Sequence, residues 1–169
     1  MDNALQIGSL TATYSATDIA TNGLKAGMIY KDYAAGKAYI FLKNNGATAI
    51  TEELVCMALT TDKASFFCTL AAATVALAPF AGTRITGADS LAQDRYGWFQ
   101  VIGSATLQAG SDTTTADPGV VSSNQTAGKV EAAPDTGVGA VATFGIAQTT
   151  TSSADVVVHL NKNVWGVSL

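Results

Sequence analysis

The sequence has few of the residues that carry enzyme chemistry. Asp, Glu, Lys and Arg together make up 13% of its 169 residues, and there is one histidine. That residue, His159, lies in a valine-rich stretch. A catalytic role would need a nucleophile and an orienting carboxylate beside it, and Asp155, four positions away on a strand, is too far to pair with it directly. No catalytic residue is therefore predicted.

Cysteine is equally scarce. Cys56 and Cys68 are too few for a disulfide framework, and one histidine with two cysteines cannot complete a zinc site without carboxylates. The N-terminus has Asp2 and no basic or long apolar leader, so no secretory signal is expected and the thiols are predicted to be buried and unlinked. A dyad of Cys56 with His159 is disfavoured because no nucleophile signature surrounds Cys56.

Acidic ligands are poorly grouped as well. Asp112 and Asp117 flank a threonine-rich segment and could bind calcium together with backbone oxygens. No Asp-x-Asp-x-Asp-Gly pattern accompanies them, so solvated loop acids are the favoured interpretation. The sequence predicts no metal and no cofactor.

The net charge of −4 disfavours nucleic-acid binding, which needs clustered Lys and Arg. Four of the lysines, Lys25, Lys31, Lys37 and Lys43, recur at intervals of six residues, whereas acids dominate from Asp89 onward. This group is either a basic edge that orients the protein on an acidic surface or a set of lysines that protects edge strands from unwanted pairing. The second interpretation is favoured.

One uncharged segment, Ala64 to Thr83, is long enough to cross a bilayer as a helix. It contains Pro79 and several threonines and has little leucine or isoleucine, which instead predicts two buried strands and a turn. No membrane association is expected.

Short β-like segments separated by Gly, Pro and Asn turns predict one all-β domain over residues 1–169. Strands are predicted at Met28–Tyr33, Ala38–Leu42, Phe66–Leu70, Thr74–Leu77, Thr83–Thr86, Tyr96–Leu107, Lys129–Ala132, Ala140–Ala147 and Asp155–Leu160, with a helical turn at Thr17–Ala20. Turns at Ala34–Lys37 and Asn44–Gly46 favour hairpins in a meander. Ala47–Leu59 fits a helix or a strand at Leu54–Thr60, and the strand is favoured because its neighbours are β-like.

The termini and one internal segment stand apart from this pattern. Met1 to Tyr14 alternates apolar residues around a break at Gly8 and predicts either a first strand or an arm that reaches a neighbouring subunit. Gln108 to Gly128 is polar and rich in turn formers, which predicts a long surface loop with at most one short strand near Val120. The tail, residues 161–169, carries Trp165.

The densest aromatic run is Tyr-Gly-Trp-Phe-Gln-Val-Ile-Gly, which starts at Tyr96. Tyr96 and Trp98 lie on one side of a strand, and Phe99 and Val101 lie on the other, because side chains alternate with period two. Both sides are apolar, which predicts a central strand covered on both faces. Gly97 leaves room for a neighbouring group to lie close.

This run, "YGWFQVIG", follows "GTRITGADSLAQDR", and the chain later reads "VGAVATFGIAQTTTSSADVVVHL". Together these segments resemble the capsid decoration, or cement, proteins of tailed bacteriophages over Lys25 to Leu160. In that group a Tyr-Gly-Trp-hydrophobic-Gln strand is followed by a late Gly-Ile-Ala strand and a final Val-x-Val-x-Leu strand.

The resemblance implies a compact antiparallel β-barrel or β-sandwich with an extended N-terminal arm on the outer surface of a capsid in the virion. Its partner would be the major capsid protein, whose intersubunit contacts it would stabilise, and it would form a homo-oligomer, a trimer or a dimer. The apolar residues that look exposed at the termini are the predicted contacts, namely Leu5, Ile7, Leu10, Tyr14 and Trp165.

The alternative is a β-sandwich module of a head fibre or tail accessory protein that binds carbohydrate or a host surface. Such modules display aromatic side chains on a loop or face. Here Tyr96 and Trp98 are predicted to be core, and the segment 108–128 has no aromatic residue, so this alternative is disfavoured.

Overall fold

The computed structural model describes residues 8–59, 65–71, 80–110, 119–122, 126–132, 143–149, 155–161 and 166–169. Over these residues the all-β fold expected from the sequence is confirmed. The elements are β1 (Thr13–Tyr14), α1 (Ala16–Asn22), β2 (Ile29–Asp32), β3 (Lys37–Asn44), β4 (Val55–Ala58), β5 (Phe67–Leu70), β6 (Phe80–Arg84), β7 (Tyr96–Leu107), β8 (Gly119–Ser122), β9 (Val130–Ala132), β10 (Gly145–Ala147) and β11 (Val156–Leu160). The predicted strand at 74–77 lies outside the described residues.

The short helix α1 has a complete cap at each end. The Ser15 hydroxyl accepts a hydrogen bond from the Asp18 amide, and the Asp18 carboxylate accepts one from the Ser15 amide at 2.7 Å. These bonds lower the pKa of Asp18. The helix ends at Gly23, whose φ of 69° is left-handed. The helix extends the predicted helical turn by a few residues.

The central strand β7 has the bounds predicted from the sequence. It pairs with β1, β3, β6 and β11, and most of its residues are buried. Trp98 packs into an aromatic cluster on one face, and Phe99 and Val101 pack into a separate apolar cluster on the other. The prediction of a strand covered on both faces is confirmed.

The first half of β7 belongs to a closed ring of paired strands. β7 pairs with β3 and β6, β6 pairs with β4, β4 pairs with β5, and β5 returns to β3. We call this set the first ring. The apolar cluster of Phe99 and Val101 includes inward residues of all these strands. The β3–β5 pairing is parallel, so the sheet is mixed, whereas the resemblance implied an antiparallel arrangement.

The second half of β7 continues into another set of paired strands. It pairs with β11, which pairs with β10, then β8 and β9 follow in order. Ala109 forms a parallel bridge with Val130, which returns β9 to the chain that follows β7. We call this set the second ring. Stacking of Phe80 on Phe144, with centroids 4.2 Å apart, joins the two rings.

Two predictions from the sequence, at Asn44–Gly46 and at Gln108–Gly110, differ from the structure. Asn44–Gly46 was expected to close a hairpin, but β3 and β4 are not paired. Instead the Asn44 side chain donates to the carbonyls of Thr48 and Leu91 and accepts from the Gly46 amide, which turns the chain away. Gln108–Gly110, expected to begin a surface loop, is bonded to Val130 through backbone hydrogen bonds. The strand alternative for 47–59 is confirmed by β4.

Candidate partner-binding surface

The N-terminal segment, residues 8–14, is attached to this chain's own body. β1 pairs with β7 at Thr13 and Tyr14, and the Tyr14 hydroxyl donates to the Ser9 carbonyl at 2.9 Å. Tyr14 is 9% exposed and lies with Trp98 in the aromatic cluster, against which Leu10 also packs. The prediction that Tyr14 is exposed and available for contact is therefore wrong. Burial of a large ring against neighbouring aromatic rings stabilises the folded protein more than exposure to water does. Leu5, Ile7 and Trp165 lie outside the described residues.

A buried arginine fastens this segment. Arg84 Nη1 donates to the Trp98 carbonyl at 2.9 Å, and Nη2 donates to the carbonyls of Thr11 at 3.1 Å and Asp89 at 2.8 Å. Burial lowers the pKa of the guanidinium to about 10, so it stays cationic at neutral pH. A Cβ at Gly97 would lie 2.6 Å from Nη1, which explains why glycine occupies that position.

The strongest candidate for a partner surface lies at β2, the terminal strand of the sheet order. Ile29 is 46% exposed and Tyr33, in the turn that follows β2, is 74% exposed. Neighbouring Tyr30 instead packs into the aromatic cluster and makes an edge contact with Trp98. Two large apolar side chains are thus displayed within a few residues of an edge strand. We call Ile29, Lys31 and Tyr33 the edge site.

The backbone of β2 faces two ways. The Phe41 amide donates to the Met28 carbonyl, and hydrogen-bonded and non-hydrogen-bonded pairs alternate along an antiparallel ladder. Tyr30, opposite Tyr39, is therefore bonded to β3, whereas the amides and carbonyls of Ile29 and Lys31 point away from it. Among the described residues, β2 pairs with β3 alone.

The lysine group, predicted either to protect edge strands or to form a basic edge, is divided by the fold. Lys31 is on β2 and Lys25 is exposed just before it, so these two lie at the edge. Lys37 and Lys43 are on β3. Lys43 forms an ion pair with Asp94 at 2.6 Å and lies 5.2 Å from the centre of the Phe67 ring. Lys43 therefore makes contacts within the protein, whereas Lys25 and Lys31 lie at the edge strand.

The residues with potential chemistry are not brought together. His159 is exposed on β11, opposite Ser104 and Ile146. Cys56 is buried in the first ring, and its thiol donates to the Gly82 carbonyl at 3.1 Å. The fold thus places the two members of the disfavoured Cys–His dyad in different rings. The two cysteines are buried and free, as predicted.

Both thiols should be inert in the folded protein. Burial raises the pKa of Cys56 well above its ordinary value, and its hydrogen bond with Cys68 acts in the same direction. We expect Ellman's reagent to modify the native protein at least about a hundredfold more slowly than the protein unfolded in urea, since the thiolate is the reactive form. Rapid modification of both native thiols would contradict the packing of the first ring.

No metal centre or membrane helix emerges from the part of the chain that the structure describes. Within it, His, Cys, Asp and Glu form no group of three or more that could hold a metal ion. Asp112 and Asp117 lie outside it. No helix of the described ranges is long and apolar enough to span a bilayer.

A cavity of about 280 Å³ opens beside the junction of the two rings. The described residues that line it are mainly polar, including Lys37, Thr83, Gln100 and Ser104, and none is aromatic. Gln100 is used internally, since its amide donates to the carbonyls of Ile102 and Ser104. The cavity therefore lacks the aromatic platform that a sugar-binding site usually presents.

Comparison with known proteins does not indicate a function, so a functional assignment depends on the structural features described above. No protein-family model matches the chain, and no curated protein is significantly similar to it.

Sequence reasoning missed the edge site. It placed a strand at Met28–Tyr33, but nothing local in the sequence indicates that this strand lies at the end of the sheet order. The sequence did contain one indication of a surface strand, because Lys25 and Lys31 lie within a few residues of Ile29 and Tyr33.

Proposed function

We propose that this protein is a structural virion protein that binds the outer surface of a tailed-phage capsid and stabilises contacts between major capsid protein subunits. The observation that carries the proposal is the edge site, where Ile29 and Tyr33 are exposed beside cationic Lys31. Apolar side chains clustered on a polar surface are typical of protein interfaces. The resemblance of the β7 run and the later strands to decoration proteins supplies the kind of partner.

The mechanism needs no chemistry. Each copy would bury a small apolar and backbone-bonding surface across a seam between shell subunits. A single contact of that size is weak, but many copies on one shell, or several sites in a trimer or dimer of this chain, raise the overall avidity. The buried Arg84 and the stacked pair Phe80–Phe144 support this role because a clamp must itself be rigid.

The test is the copy number of this chain in purified virus particles, measured by quantitative mass spectrometry against the major shell subunit. Decoration predicts a number comparable to that of the shell subunit. A handful of copies would point to a fibre or tail component, and absence from the particle would overturn a virion role. The same particles heated with and without the protein should show that shells lacking it open at lower temperature.

One observation favours the carbohydrate-binding alternative, namely the 74% exposure of Tyr33 in a turn. Aromatic rings displayed in this way can stack on sugars. Under this alternative Tyr33→Ala would abolish binding to a glycan array, whereas shell decoration predicts no array signal for either protein.

A further inference from the structure

We propose that the open edge of β2 receives an extended, acidic segment of a partner chain as an added strand. This inference deepens the proposed function and rests on it for the identity of the partner. The segment would form backbone hydrogen bonds with Ile29 and Lys31. Its side chains would contact Ile29 through an apolar residue and Lys31 through a carboxylate.

The backbone geometry is the first argument. The amides and carbonyls of Ile29 and Lys31 point away from β3, while Tyr30 between them is bonded to Tyr39. A strand laid along this edge would make hydrogen bonds at two positions without breaking any bond between residues that the structure describes. This is the geometry of strand addition to a sheet edge.

The side chains of β2 restrict which strand fits. Ile29 and Lys31 lie on the same face because they are two residues apart, and Tyr30 on the opposite face is held by Trp98. Directly opposite residues in a sheet interact through their side chains. A fitting segment therefore carries two residues on one face, two positions apart, an apolar residue near Ile29 and an acidic residue near Lys31.

Charge decides between acidic and basic segments. Lys25 and Lys31 are at the edge, and Lys37 follows on β3. Asp32, whose carboxylate accepts a hydrogen bond from the Ala35 amide at 3.0 Å, is the one acid among residues 25–37, so this segment keeps a net positive charge. A basic segment would meet these lysines. A second copy of β2 would bring the Lys25 and Lys31 side chains of both chains together, so self-pairing at this edge is also disfavoured.

The two sequence-based interpretations of the lysines then become one. A lysine in the middle of a short edge strand disfavours pairing with unrelated strands, because an incoming strand would have to lie close to its charge. A partner that carries a carboxylate opposite Lys31 removes that penalty. The same side chain therefore rejects general partners and selects an acidic one.

The experiment uses the full chain and a short blocked peptide, Glu-Thr-Val-Thr-Glu, as the probe, because its valine and glutamates lie two residues apart on one face in either strand direction. Binding is followed by NMR, and amide hydrogen exchange is measured for Ile29, Tyr30 and Lys31. In the free protein the Ile29 and Lys31 amides should exchange faster than that of Tyr30. The peptide should slow them by at least about tenfold, while the same peptide with lysine in place of each glutamate should leave them unchanged.

Two variants at one position separate backbone from charge. Lys31→Pro removes an amide that points away from β3, so the protein should remain folded by circular dichroism, but the peptide affinity should fall by about tenfold or more. Lys31→Gln keeps the amide and should lose a few-fold in affinity, together with most of the salt dependence. Equal affinities of wild type and Lys31→Pro would overturn strand addition. If the proline variant does not fold, the exchange rates in wild type still decide.

Failure of this inference can be told apart from failure of the proposed function. Shells that bind wild type and Lys31→Pro equally would refute strand addition at β2 and leave decoration intact. A peptide that protects Ile29 and Lys31, with this chain absent from virus particles, would uphold the edge as a docking site and refute the virion role.

Discussion

Replacement of Arg84 by methionine is expected to lower the free energy of unfolding by about 3–5 kcal/mol. The guanidinium is fully buried and donates to three backbone carbonyls, those of Thr11, Asp89 and Trp98. Methionine fills a similar length but donates nothing, so buried carbonyls lose their partner. The loss is measured by urea denaturation followed by tryptophan fluorescence.

Because Arg84 joins three separate segments, the variant should also loosen the chain that it fastens. Amides of residues 11–14 should exchange faster in Arg84→Met, whereas those at the centre of β7 should change less. The Thr11 carbonyl keeps a second donor, the Asp89 amide at 3.0 Å, so the segment is weakened rather than freed.

Arg95→Met is the matched control. Arg95 is exposed, so the same change there should alter stability by no more than about 0.5 kcal/mol. Arg84→Lys keeps the charge but replaces a rigid fork with one ammonium group, and should recover part of the loss. Equal stability of wild type and Arg84→Met would show that the hydrogen bonds of Arg84 do not hold the N-terminal segment.

Alternation and turn chemistry allowed most of the strands to be predicted. The bounds of β7 and the buried faces of β11 follow from period-two patterns, since Val156 and Val158 are buried while His159 is exposed. Gly36, with a φ of 63°, occupies the turn expected for it between β2 and β3. These features are local, and local sequence determines them.

Pairing between distant strands could not be read in the same way. The Asn-Gly signal predicted a hairpin, but Asn44 uses its side chain to bond the Leu91 carbonyl, 47 residues away. The parallel pairing of β3 with β5 also joins segments that no tight turn connects, so the sequence does not indicate that they are neighbours. Strand order depends on the sum of long-range contacts, which a single sequence does not display.

The candidate site was predicted only in part, because its position also depends on long-range contacts. The sequence indicated contacts through exposed apolar residues, but it chose the termini, and Tyr14 is buried by its own chain. The exposed pair, Ile29 and Tyr33, lies at a strand whose edge position depends on the whole sheet. Likewise, nothing around Arg84 in the sequence indicates that this arginine would be fully buried and bonded to three backbone carbonyls.

Replacement of Gly103 by alanine is expected to lower the free energy of unfolding by about 3–5 kcal/mol, because two penalties act at once. Gly103 has a φ of 88°, which disfavours any residue with a side chain. In addition, a Cβ there would overlap the carbonyl oxygen of Gly36 and lie 3.0 Å from Cγ of Lys37. The overlap is with backbone, so no side-chain rotation relieves it. Urea denaturation measures the loss.

Gly87→Ala separates the two penalties. Gly87 has a similar φ of 76°, but a Cβ there meets nothing within 4 Å, so this variant should lose about 1 kcal/mol from the backbone conformation alone. Equal losses for the two variants would show that close packing against Gly36 does not constrain β7.

The position of Gly103 determines where the damage should be found. β7 pairs with β3 up to Ile102, and Gly103 begins its pairing with β11 opposite Leu160. A displaced backbone at Gly103 therefore disturbs the passage of the strand from the first ring to the second. Amides of β11 should lose protection in Gly103→Ala more than those of Leu42 and Lys43 on β3, which pair with the opposite end of β7. Uniform loss in both would instead indicate that the two rings unfold as one unit.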